Sequence, residues 1–432
     1  NKDRLDQMNR KISYPPKLLT RAAGKSTCSI FRVPQSFVDI NGKSYQPQIV
    51  SIGPYHRGEP HLKMIEEHKW AYLGSMLSRV NVKLEDLLMA VHPLEAKARE
   101  CYSQAIDGLD TEEFLEMMVL DGCFVVELFR KVADLVRFEE DDPIVTMGWI
   151  MSFFRRDLLR LENQVPYFIL EKLFEATISD RGGESGVTLT YIALNFFNYA
   201  TQRPDYIISG QSSLEARHLL DLVRTSYIQE YNRSRALLEP NNVSTPTHII
   251  FCISKLRRAG IKLKQGNADS FLVVKFRDGV IEMSPIIIDD FMTSFLLNCV
   301  AYEQCHNSTS KHFTTYATLL DCLVKTAREV EYLCDQNIVV NYLGTEAEVA
   351  RFLNNLGKEV TFDIDICYLA KLFSDVDRYY VNSWRVQWAY FEYTYFTYFR
   401  EPWSFISALA AATLLILTVI QTLYTVFAYY NS

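Results

Sequence analysis

The chain reads as mainly α, a large helical domain with a small β-hairpin element and a C-terminal transmembrane helix. Three observations predict this. Apolar residues recur at helical spacing, bounded by capping signals, through most of the 432 residues. A single stretch, around Arg277-Asp278-Gly279, has the turn chemistry of a hairpin. From Pro402 to Ser432 there is no Asp, Glu, Lys, Arg or His, and Phe405 to Tyr424 is almost unbroken apolar sequence.

Residues 1–27 read as a polar arm containing Pro15-Pro16. Ile30 to Pro34 and Ile49 to Pro54 are short apolar runs bounded by Pro and Gly, suited to extended segments. From Leu62 the spacing becomes helical, with Ile65, Tyr72, Leu73, Met76 and Leu77 on one face. Leu84 to Cys101 predicts further helix broken near Pro93. Asp110 with Glu113 forms a capping box that should open a helix with Phe114, Met118, Val125, Phe129 and Val132 inward. The acidic run Glu139 to Asp142 predicts a solvated loop, and Trp149 to Phe174 a helical region interrupted at Pro166.

Arg181 to Gly186 and Glu239 to Pro246 read as linkers, with helices around Leu189 to Ala200 and Leu214 to Tyr227 between them. Ala259-Gly260 should end a helix and lead into a strand with Ile261 and Leu263 inward and its lysines outward. Phe271 to Phe276 and Val280 to Met283 form the hairpin arms, and Asp289-Asp290 suits a helix N-terminus. Thr345 to Glu348 is a second capping box, with Gly357 as the stop. Val376 to Arg400 reads as one long helix rich in Tyr, Phe and Trp, residues that favour a membrane interface, and Pro402 separates it from the anchor.

An apolar stretch of about twenty residues matches a hydrocarbon core of about 30 Å, and only a helix can satisfy its own backbone there. The expected topology is a tail anchor, bulk in the cytosol, with Arg400 on the cytosolic flank. Three glycosylation triplets, at Asn232, Asn242 and Asn307, keep the external arrangement as the alternative. Nine cysteines without a Cys-x-x-Cys pair fit a reduced compartment. A net charge of −7 and the lack of a finger or aromatic RNA-binding signature exclude a nucleic-acid binder.

The possible chemical constellations are weak. Gly24-Lys25-Ser26-Thr27 ends like a phosphate-binding loop, but Leu19 stands where its first Gly belongs, so a surface loop is expected. His61, Glu66, Glu67 and His68 form one metal-like group and Cys299, Cys305, His306 and His312 another, neither with a standard ligand spacing. Ser212-Ser213 lacks the Gly of a nucleophile elbow. Asp157 and Glu162 could pair as carboxylates, yet Arg155, Arg156 and Arg160 beside them predict helix-surface ion pairs. The Lys255, Arg257, Arg258, Lys262 and Lys264 cluster could touch anionic lipid, but a solvated face is expected.

Taken together, several ordered motifs resemble the plant domain of unknown function 247 family. They are Ile30-Phe31-Arg32-Val33-Pro34, Tyr45-Gln46-Pro47, Val50 to His56 and Glu67-His68-Lys69, then Met117 to Phe124, and Asp157 to Phe168. Later blocks are Leu256 to Gly260, Ile288-Asp289-Asp290, Tyr302 to Cys305 and Pro402-Trp403. The resemblance implies a family-wide helical domain over 28–400, with sub-boundaries near 181–186 and 239–246, and an anchor over 403–430. It offers no catalytic, cofactor-binding or metal residue, and some grass members are linked to pollen-side recognition in self-incompatibility. The expectation is therefore a recognition or signalling protein at a membrane, taken to be the plasma membrane. Its partners would be the bilayer and proteins, another family member among them, meeting it on the two linkers and the loop 306–312. A constitutive adaptor is one alternative. An enzyme of unfamiliar type, gathering His56, His68, Asp121 and Glu162 into one pocket, is the other.

Overall fold

The computed structural model describes residues 2–13, 17–178, 186–236, 249–381 and 402–431. The linker at 181–186 apart from Gly186, the linker at 239–246, and the aromatic run beyond Val381 up to residue 401 lie outside the described residues.

Beyond residue 60 the longer helices are α1 (Lys63–Val80), α2 (Leu84–Val91), α3 (Thr111–Val132), α4 (Gly148–Asp157), α5 (Tyr167–Ala176), α6 (Leu189–Thr201) and α7 (Leu219–Ala236). They are followed by α8 (Asp290–Cys305), α9 (His312–Leu323), α10 (Ala327–Asp335), α11 (Glu346–Leu356), α12 (Ala370–Val381) and α13 (Pro402–Asn431). Strands β1 (Lys262–Gln265), β2 (Val274–Arg277) and β3 (Val280–Met283) make a small sheet in the order β1-β3-β2, and β4 (Ile286–Ile288) pairs in parallel with β5 (Val339–Asn341).

Helix α3 is the centre of the body. Asp110 accepts the Glu113 N–H at 2.8 Å and Glu113 reaches back to the Asp110 N–H at 3.3 Å, so the predicted box starts it. It packs against α1, α2, α5 and α6. The inward face was predicted, but the helix is buried on nearly every side: Asp121, Glu127, Arg130 and Lys131 are all within the interior. Buried apolar side chains from Cys28 to Val376 form one contiguous cluster.

The hairpin closes as expected, Arg277 opposite Val280, through Asp278 and Gly279 at φ of 49° and 78°, the left-handed pair a two-residue turn requires. Gly260 at φ 79° ends the preceding helix, and Ile261 and Leu263 are buried while Lys262 and Lys264 face solvent. The parallel pairing of β1 with β3 and of β4 with β5 was not predicted, because short apolar runs do not declare distant partners.

Two expectations need correction. The polar arm contains a helix, Lys2–Ser13, with Leu5, Met8 and Ile12 exposed. Pro402 is the first residue of α13, a position Pro suits because it lacks only the N–H that a first helical turn leaves unpaired. Within the acidic run, Asp142 is buried, accepting the Tyr72 hydroxyl at 2.7 Å and capping a short helix through the Ile144 N–H at 2.9 Å.

Candidate functional site

The motif Asp157-Leu158-Leu159-Arg160-Leu161-Glu162-Asn163-Gln164 is a buried turn between α4 and α5, and its polar side chains hold the two extended N-terminal segments. Asp157 Oδ2 accepts the N–H groups of Gln48, Ile49 and Val50 at 2.9, 2.8 and 3.2 Å, and its Oδ1 accepts Arg160 Nε at 2.9 Å. Asn163 accepts the Ile52 N–H at 2.7 Å and donates to the Val50 carbonyl at 3.0 Å. Glu162 accepts the Val33 N–H and Arg32 Nη1, both at 2.7 Å. Segments 48–53 belong to no named sheet, so these side chains satisfy backbone groups that burial would otherwise leave unpaired. The predicted helix-surface ion pairs are thus corrected. Leu158, Leu159 and Leu161, placed between the polar residues, take the whole turn into the core.

Of the four residues that an enzyme would gather, the structure brings together two. His56 Nε2 lies 3.1 Å from Glu162 Oε2, and its Nδ1 contacts Glu59 at 2.7 Å. Burial would push the Glu162 carboxyl up, but His56, Arg32 and the Val33 N–H outweigh it and hold the group below the usual carboxylate range. Asp121 stands in a second group: it accepts the Gly53 N–H at 2.8 Å and contacts Lys69 Nζ at 2.6 Å, with Glu66 also 2.6 Å from that ammonium. His68 takes part in neither. The cavity beside Lys69 and Asp121 holds about 70 Å³, a space suited to water and not to a substrate of any size.

Gly53 links the two groups. Its φ is +78°, and a Cβ there would stand 2.4 Å from the Gln164 carbonyl oxygen, which also accepts the Tyr102 hydroxyl at 3.0 Å. Lys69 and Arg32 were missed as partners of the motif acids. The available signal was that a buried Asp in an apolar helix needs a cation.

A further polar group joins α7, α8 and α9. Glu303 accepts Arg224 Nε at 2.9 Å and the N–H groups of Phe313 and Thr314 at 3.1 and 2.7 Å. His218, fully buried, donates Nε2–H to the Ser29 carbonyl at 3.0 Å and accepts the Asp221 N–H at 3.2 Å. Burial lowers its pKa to about 4. The loop 306–312 is tied down by Arg224 on Ser310 and by Thr309 on His306 at 2.9 Å, leaving Asn307 and Ser308 exposed. Among the described residues no three His, Cys, Asp or Glu side chains are placed to hold a metal ion. All nine cysteines are free thiols.

Two apolar features face outward. Trp70, Leu84, Leu88, Met89 and Leu115 line a groove of about 460 Å³ between α1, α2 and α3, with Glu112 and Glu116 beside it. In α13, Ile406–Phe427 is long and apolar enough to cross a membrane, and none of it is buried against the body.

With this geometry in view, residues 30–417 match the model of a family described as plant protein of unknown function, DUF247. The chain belongs to that family. Two Arabidopsis thaliana proteins resemble it along most of their length. UPF0481 protein At3g47200 is 35% identical over 97% of this chain and 90% of its own length. Putative UPF0481 protein At3g02645 is 24% identical over 93% of this chain and 91% of its own. No solved structure matches. Three of the DUF247 blocks that carried the resemblance are the buried turn and the two segments it grips.

Proposed function

We propose that this DUF247 protein is a membrane-anchored recognition protein, its helical body the binding part and α13 the anchor. One observation carries the reading: the motif acids, where an active site would be sought, are occupied in holding backbone N–H groups and internal cations. The exposed apolar span supplies the second half, since twenty-two residues without charge have no stable place in water. The groove with Trp70 and Met89, 47% and 64% exposed, is the part of the body best suited to a protein partner.

A plasma-membrane location with the body in the cytosol is the finer form of this proposal. Supporting it are Arg400 on the flank nearest the body, nine unpaired cysteines, and the position of Asn232 within α7, whereas glycosylated triplets favour surface loops. A pollen-side role in self-incompatibility rests on the family resemblance alone.

The test combines fractionation with site-specific photocrosslinking of the full chain from position 89 in plant membranes. A discrete adduct that Trp70→Asp abolishes, on protein that resists carbonate extraction, is the expected result. Carbonate-extractable protein, or the same adduct with Trp70→Asp, overturns it. A mobility shift on glycosidase treatment would place the body on the other side.

A further inference from the structure

Two apolar surfaces of this chain lie uncovered. The first is the helix Lys2–Ser13, where Leu5, Met8 and Ile12 recur at helical spacing on one face and are 58%, 54% and 79% exposed. A helix of twelve residues is marginal in water unless it packs against something. The second is the groove between α1, α2 and α3.

The two match in length and charge. Leu5 to Ile12 covers seven helical steps, about 10 Å, and so does the stretch of α3 from Glu112 to Val119 that walls the groove. The helix carries Lys2, Arg4, Arg10 and Lys11 against Asp3 and Asp6, and Arg4 and Lys11 run along one edge of its apolar stripe. The described lining of the groove holds two carboxylates, Glu112 and Glu116, and no Lys or Arg. Both are exposed. Glu116 meets Arg57 at 3.7 Å, and among the described residues Glu112 has no ion pair.

The arm is also rooted beside the groove. The Lys17 carbonyl accepts the Ala105 N–H at 3.0 Å, and its ammonium lies 2.7 Å from Asp107. Asp107 stands just before α3, so the arm leaves the body at the end of α3 that carries Glu112 and Glu116. Glu95 accepts the Thr111 hydroxyl at 3.2 Å, which brings nearby His92, another lining residue, to the same end. The chain from Ser13 to Lys17 spans at most about 14 Å. A tether this short gives a local concentration of the order of millimolar, enough to fill a groove through a weak contact.

We propose that the helix Lys2–Ser13 docks in this groove of its own chain, with Leu5, Met8 and Ile12 inward and Arg4 and Lys11 towards Glu112 and Glu116. It is a plug that a partner must displace, and the structure shows the open form. The proposal rests on the groove being a docking surface, as the recognition reading has it.

The test is photocrosslinking from position 89 of the purified full chain in detergent, without a partner, read by digestion and mass spectrometry. The expected product is a crosslink to residues 2–13 that runs as a monomer, with a yield unchanged over about tenfold dilution. Leu5→Asp with Met8→Asp should lower that yield at least about fivefold. Arg4→Glu with Lys11→Glu should lower it too, and adding Glu112→Lys with Glu116→Lys should restore it, a recovery that a damaged fold would not give. No crosslink to residues 2–13, a product that runs as a dimer, or a yield undiminished by Leu5→Asp with Met8→Asp overturns the proposal. A partner adduct in plant membranes without this crosslink removes the plug and leaves the partner site, while the crosslink without such an adduct does the reverse.

Discussion

Lys69 Nζ and Asp121 Oδ1 stand 2.6 Å apart on facing helices, with 1% and 3% of their residues exposed. A pair this deep is sensitive to loss of one partner, because without Asp121 the Gly53 N–H loses its acceptor and Lys69 keeps only the half-exposed Glu66 as a counter-charge. Asp121→Ala should destabilise the body by about 3–5 kcal/mol, read as a fall in the denaturant midpoint. The double replacement Lys69→Met with Asp121→Leu should recover much of that loss, whereas a catalytic role for the pair would show no such recovery in function.

Asp157 holds three consecutive N–H groups and Arg160 with one carboxylate. Asp157→Leu removes the acceptor of all three N–H groups and leaves Arg160 only the Lys43 carbonyl, at 3.0 Å, so it should prevent recovery of folded protein. Glu139→Ala, in the exposed part of the acidic run, should change the melting temperature little. Equal behaviour of the two variants in a thermal melt would contradict the structural role of the turn.

Gly53→Ala adds a methyl group 2.4 Å from backbone oxygen at a φ of +78°, so neither rotation nor a flexible neighbour can relieve it. The variant should lose several kcal/mol, of the order given by strain and overpacking together. Gly108→Ala, with open space around it, should be neutral by the same measurement.

His218 is neutral inside the fold because burial lowers its pKa from 6.5 to about 4. Between these values the unfolded chain binds a proton that the folded chain does not, so stability falls as pH falls. The contribution is fully present above pH 6.5 and is lost by about pH 4, with a ceiling on the order of 3 kcal/mol. His218→Gln should flatten that part of a stability-against-pH curve, and an unchanged slope would contradict the assignment.

Ile416→Arg sets a charge near the middle of the apolar span, at a cost of about 2.5–3.5 kcal/mol for helix insertion. Less of the protein should then resist carbonate extraction, and Ile416→Leu should be extracted like the original chain.

Helix positions were legible because capping and periodicity are local. Asp110 with Glu113, Thr345 with Glu348, and Asp289 all cap the helices expected of them. The hairpin was legible for the same reason, two residues of positive φ between apolar arms. The roles of Asp157 and Glu162 were not. Their charged neighbours suggested a wet helix face, and only contacts with Val33 and Gln48, more than a hundred positions earlier, show that the turn is interior.

The grip of the Asp157-to-Gln164 turn on segments 33 and 48–53 also sets an order of events during synthesis. Those segments leave the ribosome more than a hundred residues before the side chains that will satisfy them, and Ser44 waits longer still for Asn298, which donates to its carbonyl at 2.9 Å. The nascent N-terminal third therefore carries unpaired backbone and apolar surface until the turn emerges, so a ribosome stalled before it would present a substrate for chaperones.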